Sequence, residues 1–138
     1  MGMSSGAEIG VLKLISMDEM YELIDKITAE IPLPILKGLN GGIILMPGCK
    51  LHPKSVNSDL YIMGEYSYQS HGLGRIIYIY YGSIERLYGY ASNDTIERVV
   101  REVIYHELTH HLENQAGDRS LEVEDAVNLR RYLNRHGL

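Results

Sequence analysis

Apolar residues recur at three- and four-residue spacing in the last third of the chain, at Ile96, Val99, Val100, Val103, Ile104, Leu108 and Leu112. This spacing matches the turn of a helix and predicts a long amphipathic α-helix with one face turned to a core. The segment Ser92-Asn93-Asp94 marks its start, with Asp94 and Glu97 at capping-box spacing. No glycine or proline interrupts the pattern before Gly117, so we expect the helix to end there.

Two further helices and three strands are predicted from the rest of the chain. Ser16 and Glu19, at capping-box spacing, precede a first amphipathic helix that stops at Pro32. Ser120 can cap a last helix that runs from about Leu121 to His136. Runs rich in Ile, Leu and Tyr at 43–46, 60–66 and 76–81, bounded by turn-forming residues, are typical of strands.

The long helix contains the sequence His106-Glu107-Leu108-Thr109-His110, which matches the HExxH pattern of zinc sites. Because one turn separates residues i and i+4, both imidazoles leave the same face and can converge on one cation. Glu107 lies about 100° further round, close enough to hold a metal-bound water without ligating the metal. Two histidines satisfied by hydrogen bonds alone are the other interpretation, which the intervening glutamate disfavours. Val99 and Val103 share the histidines' face, so we expect the pair to point into the protein.

A catalytic zinc site needs three protein ligands and an open position for water, so one more ligand must come from outside the motif. We expect Asp118 to be that ligand, because Gly117 can adopt a left-handed conformation that turns the chain back towards the metal face. Glu124 is the second choice, and Glu113 shares the helix face but reaches the ion awkwardly. The acidic candidates after the motif are Glu113, Asp118, Glu122, Glu124 and Asp125.

With this motif, the chain resembles the minimal zincins, a family of small bacterial proteins assigned as zinc metallopeptidases. The resemblance also rests on the order of the predicted elements, from the helix ending at Ile31-Pro32-Leu33-Pro34 to the motif helix. It implies an α+β fold, in which a small mixed sheet of three to four strands packs against an N-terminal helix, the HExxH helix and a C-terminal helix.

The family pattern continues as HExxHxxGxxD, with the final Asp as the third ligand. In this chain Glu113 stands where that glycine belongs. Asp118 lies eight residues after His110 rather than six. The resemblance therefore implies zinc ligation by His106, His110 and Asp118, with Glu107 as the catalytic residue.

The function that the resemblance implies is hydrolysis of peptide bonds in a peptide or protein substrate. Zinc lowers the pKa of a bound water to about 7, and Glu107 accepts its proton as general base. Peptide substrates of such enzymes lie extended along an edge strand beside the metal helix, and we expect residues 76–81 to be that strand. The alternative is a regulatory or non-catalytic zinc-binding protein that resembles a peptidase and acts through a protein partner.

Composition limits the remaining classes. At 138 residues, 45% of them hydrophobic, the chain can form one domain with its own core, and we expect that domain to span residues 11–138. Residues 1–10 are expected to be a flexible leader or a remnant of added sequence. A net charge of -5 argues against nucleic acid as a partner.

The expected location is the cytoplasm. Cys49 is the single cysteine, which excludes an internal disulfide and suits a reducing compartment. No apolar run approaches the roughly 18 residues needed to span a bilayer, and no signal segment opens the chain, so we expect no membrane partner.

Overall fold

The structure is a computed structural model that describes residues 14–69, 71–117 and 120–137, with the backbone alone for 120–123. The predicted leader, residues 1–10, lies outside the described residues. The described helices are α1 (Met17–Glu30), α2 (Leu33–Leu36), α3 (Tyr81–Tyr88), α4 (Asn93–Ala116) and α5 (Ser120–Arg135). The described strands are β1 (Gly42–Met46), β2 (Lys50–Leu51), β3 (Tyr61–Ile62), β4 (Gly64–Gln69) and β5 (Gly74–Tyr80).

The strands form a mixed three-stranded sheet in the order β1-β5-β4 and a separate pair, β2 with β3. β1 is parallel to β5, whereas β4 is antiparallel to it. Helices and a small mixed sheet in this arrangement confirm the predicted α+β fold class.

The prediction that residues 76–81 form an edge strand is wrong, because β5 lies at the centre of the sheet and β4 is an edge strand. Ile76, Ile77 and Ile79 are fully buried, as expected for a strand with neighbours on both sides and cover on its faces. The segment also stops being a strand one residue early, since Tyr81 begins α3. Neither α3 nor the short elements α2 and β2 were predicted.

One face of the sheet packs against α1 and α4 to form the core. On that face Tyr66 pairs with Ile77 in the β4–β5 register, and Ile43 pairs with Ile77 on the β1 side. Full burial of an aliphatic side chain such as Ile77 contributes about 1.5–3 kcal/mol. The predicted apolar stripe of α4 is confirmed as far as Leu108, after which Leu112 is 40% exposed; its buried apolar residues are Ile96, Val99, Val100, Val103, Ile104 and Leu108.

The ends of α4 follow from two residues. Ser92 is the N-cap, since its hydroxyl accepts the Thr95 N–H at 3.2 Å. Asp94, which was expected to cap, lies instead inside the first turn. There its negative charge interacts favourably with the positive end of the helix dipole. At the other end Gly117 is left-handed with φ +78°, as predicted, and its N–H bonds to the Asn114 and Glu113 carbonyl oxygens.

Charged side chains tie the outer face of α4 to α1. Glu97 accepts from Lys26 at 3.2 Å and from Arg101 at 3.0 Å, and Arg101 also reaches Glu30 at 3.1 Å. The bond from Lys26, and next the bond from Arg101, lower the pKa of Glu97.

Within the described residues, no helix is both long and apolar enough to cross a membrane.

α4 approaches β4 closely at Gly64. A Cβ placed on Gly64 would overlap Cγ1 of Val103 and lie 3.3 Å from Cγ of Glu107. Only a residue without a side chain lets the edge strand pass this close to the helix. Gly64 therefore sets the spacing between β4 and the motif helix.

Replacing Gly64 by Ala should lower the free energy of unfolding by about 1–3 kcal/mol, because the added methyl group overpacks the α4–β4 contact. Urea denaturation followed by circular dichroism measures the change. Gly48→Ala is the matched control, since a Cβ at Gly48 meets nothing within 4 Å, and it should change stability little. Equal stability of the two variants would contradict the assigned close approach.

Candidate metal centre

His106 and His110 stand one turn apart on α4, with ring centroids separated by 5.1 Å and ring planes at 80°. The side chain of His110 is 14% exposed, whereas that of His106 is 43% exposed. The expected inward orientation therefore holds for His110, while His106 lies half open to solvent. The helix alone produces the pair, because residues at i and i+4 share a face.

Asp125, on α5, meets both histidines. Its Oδ2 atom lies 2.8 Å from Nε2 of His110 and 3.6 Å from Nε2 of His106. One ligand atom from each of the three residues lies within 4.8 Å of the others. Two imidazole nitrogens and one carboxylate oxygen form the donor set of a catalytic zinc site, so these residues fit the ion that the motif implies.

Asp125 was one of the acidic candidates considered, but it was not the residue chosen. Asp118 lies outside the described residues. Glu124, the second choice, is exposed. Among the described residues, it is not part of the possible metal-binding group, which pairs Asp125 with the two histidines. The sequence did carry a signal for Asp125, because Leu129 and Tyr132 follow it at i+4 and i+7 and place all three on one face of α5.

Glu107, between the two histidines in sequence, is 8% exposed. Burial is the main cause that raises the pKa of its carboxyl group to about 7, and the nearby charge of Asp125 adds to the rise. The charge of His106 and a hydrogen bond from the Tyr66 backbone N–H lower that pKa and only partly offset the burial. Glu107 is thus the buried carboxyl group of this site.

The edge strand holds Glu107 from one side. The Tyr66 N–H donates to the Glu107 carboxylate, and Gly64 leaves room for the Glu107 side chain beside the strand. Position and orientation of this carboxylate therefore depend on main-chain atoms of β4 and on the missing Cβ of Gly64.

His111 lies one turn beyond Glu107 on the same face of α4 and also contacts Tyr66. The residue is fully buried. Its Nε2 lies 2.9 Å from the Lys37 carbonyl oxygen and its Nδ1 lies 3.0 Å from the Tyr66 hydroxyl. Since a carbonyl only accepts, Nε2 donates to Lys37 and Nδ1 accepts from Tyr66 in the neutral ring.

A cavity of about 770 Å³ opens at Glu107 and the three candidate ligands, His106, His110 and Asp125. Its walls come from residues 60–66, from α4 and from α5. Most of the other wall residues are apolar or aromatic, among them Leu60, Ile62, Met63, Val99, Val103 and Leu129. Such a cleft, apolar with a few convergent polar groups, is the usual form of a binding site for an organic ligand.

Fold and site together define a small α+β domain with a candidate metal centre between its longest helix and its last helix. A conserved hypothetical protein from Thermo thermophilus has a similar structure, with a TM-score of 0.63 and 32% sequence identity over 74% of this chain and 98% of that chain. The chain belongs to the same family as that protein. No family model and no curated protein matches the chain.

Replacing Asp125 by Ala should weaken zinc affinity by more than about 100-fold, since loss of even an outer-shell partner costs about 10–100-fold. Competition with a chromophoric chelator measures the affinity. Glu124→Ala, one residue earlier on the exposed face, is the matched control and should bind zinc like the parent protein. Undiminished affinity in the Asp125 variant would assign the carboxylate ligand elsewhere, and Asp118→Ala is then the variant to measure.

Proposed function

We propose that the protein is a zinc-dependent metallopeptidase that hydrolyses peptide bonds. The observation that supports this most directly is the meeting of His106, His110 and Asp125 at one point beside the buried carboxyl group of Glu107. A structural zinc site usually has four protein ligands, and it does not need a further carboxyl group that stays off the metal. Three ligands and an adjacent acid/base residue favour a catalytic site.

His106, His110 and Asp125 would hold the zinc ion. When bound, zinc would supply Lewis-acid chemistry, polarising the carbonyl group of the substrate and making water acidic enough to attack it. Asp125 would neutralise part of the ion's charge, and α4 presents the two imidazoles on one face. The fit of the donor set, rather than a bound ion, supports this assignment.

Glu107 would act as the general base. Its carboxylate takes a proton from the attacking water and delivers it to the nitrogen of the leaving amine, so that the C–N bond breaks without releasing an unprotonated amide anion. The Tyr66 N–H keeps the carboxylate next to the histidines. The position of Glu107 supports this role, since it shares the cavity with the three ligand residues.

The substrate would lie extended along β4. This strand pairs only with β5 in the three-stranded sheet, borders the cavity and runs beside α4, whereas β5 has no free edge. Main-chain groups that an edge strand leaves unpaired can bond to an added peptide strand, and the Tyr66 N–H, which donates to Glu107, is not among them. The apolar walls at Ile62, Val103 and Leu129 would then receive side chains of that peptide.

The setting of this activity is proposed from composition. One cysteine, Cys49, and a net charge of -5 support action in the cytoplasm on peptide or protein substrates, with no nucleic acid and no membrane as partner. A regulatory protein that covers or completes the cleft fits the same proposal.

The decisive variant is Glu107→Gln, which keeps the shape of the side chain and removes the base. We expect it to retain zinc and to lose about 10²–10⁴-fold in the rate of peptide hydrolysis. The assay is digestion of an unbiased peptide library followed by mass spectrometry, with metal content measured on the same samples. Glu22→Gln, on the exposed face of α1, controls for loss of a carboxylate and should leave the rate unchanged.

Chelation separates the proposal from its alternative. Hydrolysis that stops with chelator and returns with added zinc supports the peptidase. If zinc binds and raises the melting temperature while no peptide in the library is cut, the protein is a zinc-binding, peptidase-like molecule that acts through a partner. Full hydrolysis by Glu107→Gln would mean that another group is the base.

A further inference from the structure

The described part of the helix that provides Asp125, residues 124–135, has few buried apolar side chains. Among the described side chains of α5, residues 124–135, only Tyr132 is buried, at 6% exposure. Val127 is 45% exposed, and Leu129 and Leu133 are half-buried. Few buried apolar groups mean a low local free energy of opening. Polar contacts therefore matter for keeping residues 124–135 of α5 in place.

Those polar contacts concentrate two turns beyond Asp125. The Tyr132 hydroxyl bonds to the Asp59 carboxylate and accepts the Val56 N–H at 2.6 Å. Nε2 of His136 lies 3.2 Å from the other Asp59 oxygen, and the rings of Tyr132 and His136 are 4.7 Å apart. We name Asp59, Tyr132 and His136 the α5 anchor.

The loop that presents Asp59 is held in an unfavourable conformation. Asn57 and Ser58 both have positive φ, at 57° and 56°. A non-glycine residue in this region costs of order 1–3 kcal/mol and persists where its surroundings fix it. The contacts of the preceding Val56 and the following Asp59 with Tyr132 provide such surroundings.

Asp125 and Tyr132 lie on the same face of α5, seven residues and about 10.5 Å apart along the axis. Fixing Tyr132 therefore fixes both the rotation of α5 and the position of Asp125 opposite His106 and His110. We propose that the α5 anchor is a positioning device for the metal centre, and that it sets zinc affinity through Asp125. The inference rests on the proposed metal site but not on peptide hydrolysis.

Coupling of this kind works in both directions. If the anchor favours zinc binding by keeping Asp125 in place, bound zinc must strengthen the anchor by the same factor. In the zinc-free protein α5 spends more time away from α4, and part of the cavity wall moves with it. Residues of α5 that border the cavity include Asn128, Leu129 and Tyr132, so the metal also stabilises the shape of the cleft.

Replacing Tyr132 by Phe removes the hydroxyl and keeps the ring. We expect zinc affinity to fall about tenfold, at the lower end of the effect of outer-shell groups. The matched control is Tyr81→Phe, which removes a tyrosine hydroxyl bond of 2.7 Å to the Ile15 carbonyl, away from α5. It should leave zinc affinity unchanged even if stability drops.

The double-mutant cycle is the decisive measurement. In an Asp125→Ala background, Tyr132→Phe should not weaken zinc binding further, because the anchor acts only through Asp125. Equal weakening in both backgrounds, or unchanged zinc affinity in the folded Tyr132→Phe protein, would overturn the proposal. If Tyr132→Phe does not fold, Asp59→Asn provides the same cycle with a smaller perturbation.

Hydrogen exchange gives a second readout that needs no catalytic activity. Zinc should slow exchange of the α5 amides in the parent protein at least about fivefold more than in Asp125→Ala. A parent protein that binds zinc but cuts no peptide would contradict the proposed peptidase activity. The exchange measurement would still decide the role of the α5 anchor. A parent protein that takes up no zinc overturns this inference along with the metal site.

Discussion

The contact between α4 and the edge strand β4 is the constraint on which the rest of the structure depends. At Gly64 the strand has no side chain, so Val103 and Glu107 press directly against its backbone. This closeness buries Glu107 and brings the Tyr66 N–H within reach of its carboxylate. The histidine pair borders the same cavity as Glu107. A larger residue at position 64 would separate helix and strand and undo both the burial of Glu107 and its bond from Tyr66.

Local features were predicted well from the sequence because their causes are local. The spacing of Val99, Val103 and Leu108 predicted the buried stripe of α4. The four-residue spacing of His106 and His110 predicted that both rings lie on one face. What could not be predicted was decided by distant contacts. β5 became the central strand because β1, some thirty residues earlier, pairs with its outer side. The apolar run of three isoleucines in β5 was the sequence signal for a central position, and it was misinterpreted.

The candidate third ligand shows the same limit. Asp125 could not be singled out among the acidic residues after the motif, because the packing angle of α5 on α4 decides which of them meets the histidines. His111 shows it too: nothing near it in sequence indicates that Lys37 and Tyr66 would enclose it. Buried polar residues take their role from partners far along the chain, and those partners are visible only once the fold is known.

Within the described residues β4 pairs with β5 alone, and the proposed binding of a peptide along its other edge would bear on selectivity. Backbone amides and carbonyls are common to every polypeptide, so pairing along β4 discriminates weakly between sequences and strongly between conformations. A chain segment already paired in its own helix or sheet has no free groups to offer such an edge. A polypeptide bound in the proposed way would present a locally unfolded stretch, and well-ordered proteins would be protected by their own hydrogen bonding.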